Sequence, residues 1–277
     1  MQKIKNFSII LLATISLVSC GEYQKVLNKG TRQEQYKLAT KLYEQQKFSK
    51  SLQLFEKITP AYRGKPQMER IQFMVSQAHY NTKDYTMAAY YFDKFAKNYP
   101  NSSKKEEASF LAADSYYLDS PKYSLDQKQT NEALNALQNF IYEYPNSDRL
   151  PLANKKIAEL TFKLERKSFE IAKQYYHISD YRASITSFDN LLSDHLGTSY
   201  KEEALFFKLK AAHDLGVKSY FTKKEARLNE AKKAYEKFNR NFPASEYKKE
   251  ADKLMKNITK EINVLVALTV ENESNGL

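Results

Sequence analysis

Asp84-Tyr-Thr-Met-Ala-Ala-Tyr-Tyr-Phe-Asp-Lys-Phe-Ala-Lys-Asn-Tyr-Pro-Asn-Ser102 is the stretch whose reading decides the fold. As a helix it aligns Tyr85, Ala88, Phe92 and Phe95 in one apolar stripe, and Pro100, which no helix interior tolerates, closes it. The stripe recurs upstream as Phe48, Ser51, Phe55 and Ile58. Downstream it returns as Thr130, Ala133, Leu137 and Phe140, and as Tyr181, Ser184, Phe188 and Leu191. Its last copy is Leu228, Ala231, Tyr235 and Phe238. The stop recurs as Tyr144-Pro145-Asn146-Ser147 and Phe242-Pro243-Ala244-Ser245, with His195-Leu196-Gly197-Thr198 a degenerate version.

Five copies of one stripe define a helical repeat protein, because a helix of this kind cannot bury its stripe alone. The small residue of each copy (Ser51, Ala88, Ala133, Ser184, Ala231) lets a neighbouring helix approach, and the larger residue four positions on fills the space beside it. The spacing from Ser51 to Ala88 is close to the tetratricopeptide period of about 34 residues, and the later spacings imply inserts or longer helices. Few breakers (6 Gly, 7 Pro) and many aromatics (21 Tyr, 16 Phe) fit long helices, and no alternating pattern marks a strand. The expected fold is all-α: a right-handed solenoid of about five tetratricopeptide-like helix pairs with a C-terminal capping helix.

The first 19 residues read as a lipoprotein signal peptide. Lys3 and Lys5 precede an apolar run from Phe7 to Val18, too short to span a membrane, and Leu17-Val18-Ser19-Cys20-Gly21 follows. The only cysteine of the chain stands at the cleavage point, an arrangement that resembles a bacterial lipobox. Cleavage before Cys20, with acylation of its thiol and new amine, then gives a stable anchor, since several chains hold where one is marginal. A single cysteine also rules out internal disulfides and cysteine metal sites. No acidic run follows Cys20, which favours a periplasm-facing anchor. The formal charge of +11 would attract nucleic acid in a cytosolic protein. An exported one meets none, and the lysines alternate with glutamates, as in Lys201-Glu202-Glu203, so solvated helix faces account for most of the charge.

In chain order, residues 20–31 read as a lipidated tether, with Thr31 and Glu34 at capping-box spacing before the first helix. Repeats one to three occupy 32–146, with helices expected at 32–45, 49–58, 67–81 and 85–98 and a third pair interrupted at 118–129. An insert of that length is a candidate contact loop, or padding. Repeats four and five with the cap occupy 147–268: a long helix over 149–179, then 199–216, 223–240 and 246–268. The apolar Val264–Leu268 end reads as the cover of the solenoid or as an exposed docking patch, and 269–277 as a frayed tail.

No catalytic constellation is present. The histidines (79, 177, 195, 213) lack metal-ligand spacing, there is no nucleophile elbow or P-loop, and Glu106-Glu107 and Glu202-Glu203 suit first helical turns. No enzyme activity, cofactor or metal is expected. The first helices of repeats one to three instead offer a candidate peptide-binding groove: Tyr36, Thr40, Tyr43, Phe73, Gln77, Tyr80, Ser109 and Tyr116. Tyrosine combines apolar area with a hydroxyl, which suits peptide recognition, although the same residues also serve packing between repeats.

Together the lipobox, five repeats, the interrupted third repeat ending Tyr144-Pro145-Asn146-Ser147-Asp148 and the long helix into Glu170-Ile171-Ala172-Lys173-Gln174-Tyr175-Tyr176 resemble the BamD family of outer-membrane β-barrel assembly lipoproteins. The resemblance covers roughly 31–255. It implies a non-catalytic adaptor anchored to the outer membrane and facing the periplasm. It also implies docking of a POTRA-bearing barrel assembly protein through 147–260, and capture of unfolded barrel substrates in the N-terminal groove. The extended apolar end after Glu261 and the degenerate Leu196-Gly197 stop depart from the family pattern. The competing readings are a tetratricopeptide scaffold of another envelope or peptidoglycan complex and a glycan-binding lipoprotein; the absence of Trp speaks against the latter.

Overall fold

A computed structural model describes residues 21–274, with side chains described through Leu268; the signal segment, Cys20 and the last three residues lie outside it. Among the described residues there are twelve α-helices, one 3₁₀ turn and no strand. They are α1 (21–29), α2 (Arg32–Glu44), α3 (Phe48–Ile58), the 3₁₀ turn (Thr59–Tyr62), α4 (Gln67–Asn81), α5 (Tyr85–Asn98), α6 (Lys105–Asp119) and α7 (Lys128–Glu143). There follow α8 (Leu150–His177), α9 (Tyr181–Asp194), α10 (Lys201–Val217), α11 (Phe221–Asn241) and α12 (Lys248–Ser274). The chain forms two compact units: one runs to Pro121 and includes Asp126–Ile157, the other holds Lys122–Leu125 and everything from Ala158.

The division falls inside α8, not at the loop before it. The first turns of α8 belong to unit one because Lys156 pairs with Asp114 at 2.6 Å and lies 3.9 Å over the Tyr117 ring. Four residues of the insert belong to unit two for a similar reason. Arg166 stacks over Tyr123 at 4.3 Å, and Lys167 donates to the carbonyl of Leu125 at 2.5 Å.

Each stripe is a core. Ser51, Ala88, Ala133, Ser184 and Ala231 are all fully buried, and Phe55, Phe92, Leu137 and Phe188 beside them are fully buried too. Where the small residue is Ser, its hydroxyl donates twelve residues back, Ser51 to the Ala39 carbonyl and Ser184 to that of Ala172. A buried hydroxyl needs such a partner, and a carbonyl of the packed helix is within reach because the axes are close. Tyr235 remains half-buried and donates to Asp252 instead.

The stop motif also starts the next helix. Ser102 donates to Glu69 at 2.6 Å and accepts from the Lys104 N–H. Ser147 repeats this with Glu106 and the Arg149 N–H. Thr198 of the degenerate copy does the same with Glu165 and the Tyr200 N–H. The shared element is the hydroxyl, which Thr198 supplies where the Pro-Asn pair is missing.

Inside three repeats, the two helices join through a left-handed residue: Gln46, Lys83 and Ser179, with φ of 58°, 63° and 65°. Lys83 N–H bonds Tyr80 O and Asp84 N–H bonds His79 O, a Schellman turn, and the other two turns match it. Asp84 and Asp180 then cap α5 and α9 through the N–H groups of Met87 and Ala183.

The 21–29 segment departs from the tether expected there. It is helical, Tyr23 is 6% exposed, and its hydroxyl donates to Gln53 at 2.7 Å. Leu27 packs on the same core, and the buried Gln35 side chain donates to the carbonyls of Val26 and Leu27, so apolar contacts and hydrogen bonds together hold this stretch on repeat one. At the other end Leu265 is buried in the last core, while Val264, Val266 and Leu268 of the same run stay exposed.

Candidate peptide-binding site

The eight groove candidates are all half-buried, and six of them separate into a structural ladder and two cavities. The ladder comes first. Tyr43 donates its hydroxyl to the Gln77 side chain, and Tyr80 donates to Asp114 at 2.6 Å. Tyr176 donates to Asp214 at 3.1 Å in unit two. Each tyrosine thus ties the first helix of one repeat to the first helix of the next. Burial, and for Tyr80 the adjacent Asp114, pushes both Tyr43 and Tyr80 above the usual phenol range, so these hydroxyls stay protonated donors.

One cavity, of about 550 Å³, lies between α2 and α4 and is walled by Tyr43, Phe73, Met74, Gln77 and Phe95. Phe73 stands edge-on to Phe95 at 5.2 Å and under the Lys104 ammonium at 5.5 Å. Two cations, Arg70 and Lys104, and two carboxylates, Glu44 and Glu69, edge it. Glu69 is occupied by Ser102, and Lys104 pairs with Glu107 at 2.7 Å. Arg70 stands 3.9 Å from Glu44, both well exposed, so its guanidinium is the most available charge. Tyr36 and Thr40 do not reach this cavity: Tyr36 stacks on Tyr62 at 5.4 Å, and the Thr40 hydroxyl is buried without a partner.

Ser109 and Tyr116 line a different cavity, of about 530 Å³, between α5 and α7 over α6. Ser109 bonds Tyr144 at 3.2 Å, and Tyr116 donates to Asp93 at 3.1 Å. Burial and the charge of Asp93 push Tyr116 up to about 12. Ser109 and Tyr116 therefore stand apart from Phe73 and Gln77. The residues of α6 that match Phe73, Gln77 and Tyr80 are Phe110, Asp114 and Tyr117, one position further on. Asp114 receives Tyr80 as Gln77 receives Tyr43, and Arg149 covers Phe110 as Lys104 covers Phe73. One helical residue is a rotation of about 100°, enough to move a side chain to another face. The signal was in the sequence: aromatic, then polar four residues on, then Tyr three further, reads Tyr36-Thr40-Tyr43, Phe73-Gln77-Tyr80, Phe110-Asp114-Tyr117 and Phe169-Lys173-Tyr176.

The histidines serve packing and capping. His79 bonds the capping carboxylate of Asp84 at 3.0 Å and stacks on Tyr91, and His213 bridges Asp214 and Asn257. Among the described residues no group of three metal-ligating side chains converges, and no helix is long and apolar enough to cross a membrane.

Sequence comparison adds the family. The profile of YfiO, described as outer membrane lipoprotein, matches residues 28–228, from the first described helix into α11. The chain belongs to the YfiO family. Within this family, it is similar to the outer membrane protein assembly factor BamD of Caulobacter vibrioides, 29% identical over 182 residues that cover 66% of this chain and 56% of that one. It is also similar to BamD of Haemophilus influenzae, 22% identical over 227 residues covering 78% of this chain and 86% of the relative. The chain thus spans little more than half the Caulobacter relative. A solved structure of tetratricopeptide-like repeats from a putative kinesin light chain of Podosopora anserina covers 86% of this chain at 12% identity, with a TM-score of 0.32.

Proposed function

We propose that this YfiO-family chain is a non-catalytic assembly factor for outer-membrane β-barrel proteins. It is held to the membrane by acyl chains on Cys20 and faces the periplasm. Unit one receives an extended segment of an unfolded barrel substrate, and the repeats of unit two dock the POTRA-bearing barrel assembly protein. The observation that supports the receiving role is the cavity between α2 and α4. Phe73, Phe95 and Tyr43 offer aromatic walls for an aromatic side chain, while Arg70 and Lys104 stand at its edge where a peptide carboxylate can pair. Supporting the assembly role is the profile match over most of the chain together with relatives that carry the assembly-factor name.

The test is purification of the C-terminally tagged chain from its native envelope in mild detergent, with cross-linking. A stoichiometric outer-membrane barrel with POTRA domains is the expected partner. Peptidoglycan enzymes in its place would leave only a lipoprotein repeat scaffold. Phe73→Ala with Arg70→Glu is expected to reduce cross-linking to nascent barrel proteins while retaining the POTRA partner.

A further inference from the structure

In unit two a groove of about 480 Å³ runs between α9 and α11 with α10 as its floor. It is the counterpart of the cavity between α5 and α7 over α6, and of one of about 690 Å³ between α3 and α5 over α4. Position in the repeat is the same in all three, so their chemistry can be compared directly.

They differ in charge. The α9–α11 groove is lined by five cations (Arg182, Lys208, Arg227, Lys233 and Lys237) against Asp189 and Glu230. Both carboxylates are already taken: Asp189 by Lys208 at 2.5 Å, Glu230 by Lys233 at 2.8 Å. Arg227 bonds only a neutral partner, the Ser219 hydroxyl. Arg182 and Lys237 are exposed, one on each wall. The matching groove of unit one carries the opposite balance, Asp93, Glu132 and Glu143 against Lys97 and Lys105. The third, between α3 and α5, holds Arg63 and Lys94 against Glu56, so the α9–α11 groove carries the largest cationic excess of the three equivalent sites. Between its charged rims the groove is aliphatic, with Ala212 and Leu215 on the floor and Ile185 and Ala234 at the foot of each wall.

We propose that the α9–α11 groove binds an acidic polypeptide segment of a partner protein, with carboxylates on Arg182, Arg227 and Lys237 and aliphatic side chains on the floor. A chain carrying both carboxylates and apolar side chains matches both features, whereas a phosphate-bearing lipid surface uses the rim alone. Charge complementarity of this kind speeds encounter and selects the partner. This refines the docking role given to unit two, but its experiment reads peptide binding directly. A missing POTRA partner and a failed groove are therefore separate results.

The probe is a fluorescein-labelled peptide alternating Glu and Leu, titrated by anisotropy into the full-length chain in detergent. Arg182→Glu with Lys237→Glu is expected to weaken binding at least about tenfold, because two attractions become repulsions. Lys232→Glu with Lys249→Glu makes the same change in net charge outside the groove and is expected to leave binding within about twofold. Circular dichroism melting of both variants controls for folding. Equal weakening by both pairs overturns the proposal, since the peptide then senses only total charge. So does a Glu–Ser peptide that binds as tightly as Glu–Leu, since the aliphatic floor then has no role. Binding of phosphatidylglycerol vesicles lost in the groove pair, with peptide binding unchanged, likewise overturns it.

Discussion

Single residues set the junctions of this chain, and two of them make sharp predictions. Lys83 occupies the left-handed region at φ 63°, where a Cβ is strained and Gly is not. Lys83→Gly is expected to raise stability by about 0.5 kcal/mol, the relief of strain less the extra entropy Gly brings to the unfolded chain. A lower urea midpoint for the variant contradicts this account of the turn. Asp93 is the second case. Burial raises its carboxyl pKa, outweighing the Tyr116 hydroxyl that donates to it and the nearby Lys97. A raised folded-state pKa favours the protonated form in the native protein, so its stabilising contribution is present below the ordinary value and lost as pH rises through the raised one. Asp93→Asn keeps an acceptor for Tyr116 and carries no charge. Its urea midpoint is expected to gain on the wild type as pH rises from the ordinary carboxylate range through the raised value. Parallel profiles for the two proteins would show that the site bears no buried-charge penalty.

At the scale of the helix, the five stripes share one rule, a small residue where two axes come close and a large one beside it. The rule separates two substitutions at equivalent positions. Ser184→Ala removes a hydroxyl whose partner is a helix carbonyl, and three of the other repeats carry Ala there already (Ala88, Ala133, Ala231), so the cost stays within about 1 kcal/mol. Ala133→Leu inserts three carbons where nothing is exposed and is expected to cost about 1–3 kcal/mol, read as a shifted midpoint at constant slope. The tyrosine ladder is also an element-scale device. Tyr43, Tyr80 and Tyr176 each place one hydroxyl on the next repeat, so a tyrosine on this face also serves packing between repeats. Composition alone does not distinguish the two uses. Both need a ring on one side and a hydroxyl on the other.

For the whole molecule, a repeat architecture makes contacts mainly between neighbours, so a defect should spread no further than its unit. Phe55→Ala removes a fully buried ring from the first core and is expected to cost about 3–5 kcal/mol there. Hydrogen exchange should then accelerate in α1 to α4 and leave α9 to α12 at wild-type protection. Uniform acceleration through both units would show a single cooperative block instead. The same local character explains how much could be read in advance. Periodicity and the Pro-terminated stops determined the number of repeats, the helices and their buried stripes, because those follow from spacing along the chain. The absence of His, Cys and Gly motifs argued against an enzyme on the same basis. Three things were decided only by the tertiary structure. The left-handed turns at Gln46, Lys83 and Ser179 lack the expected Gly, because packing of the two helices on either side holds a strained residue in place. The 21–29 segment looks polar in sequence, yet Tyr23 and Leu27 seat it on the first core and Gln35 and Lys57 bond its last carbonyls once that core exists to receive them. Finally, Ser109 and Tyr116 face the α5–α7 cavity while Phe110 and Asp114 take the places equivalent to Phe73 and Gln77. A shift of one residue along a helix changes the sequence pattern slightly but turns the side chain to another face, and only the neighbouring helices fix which face that is.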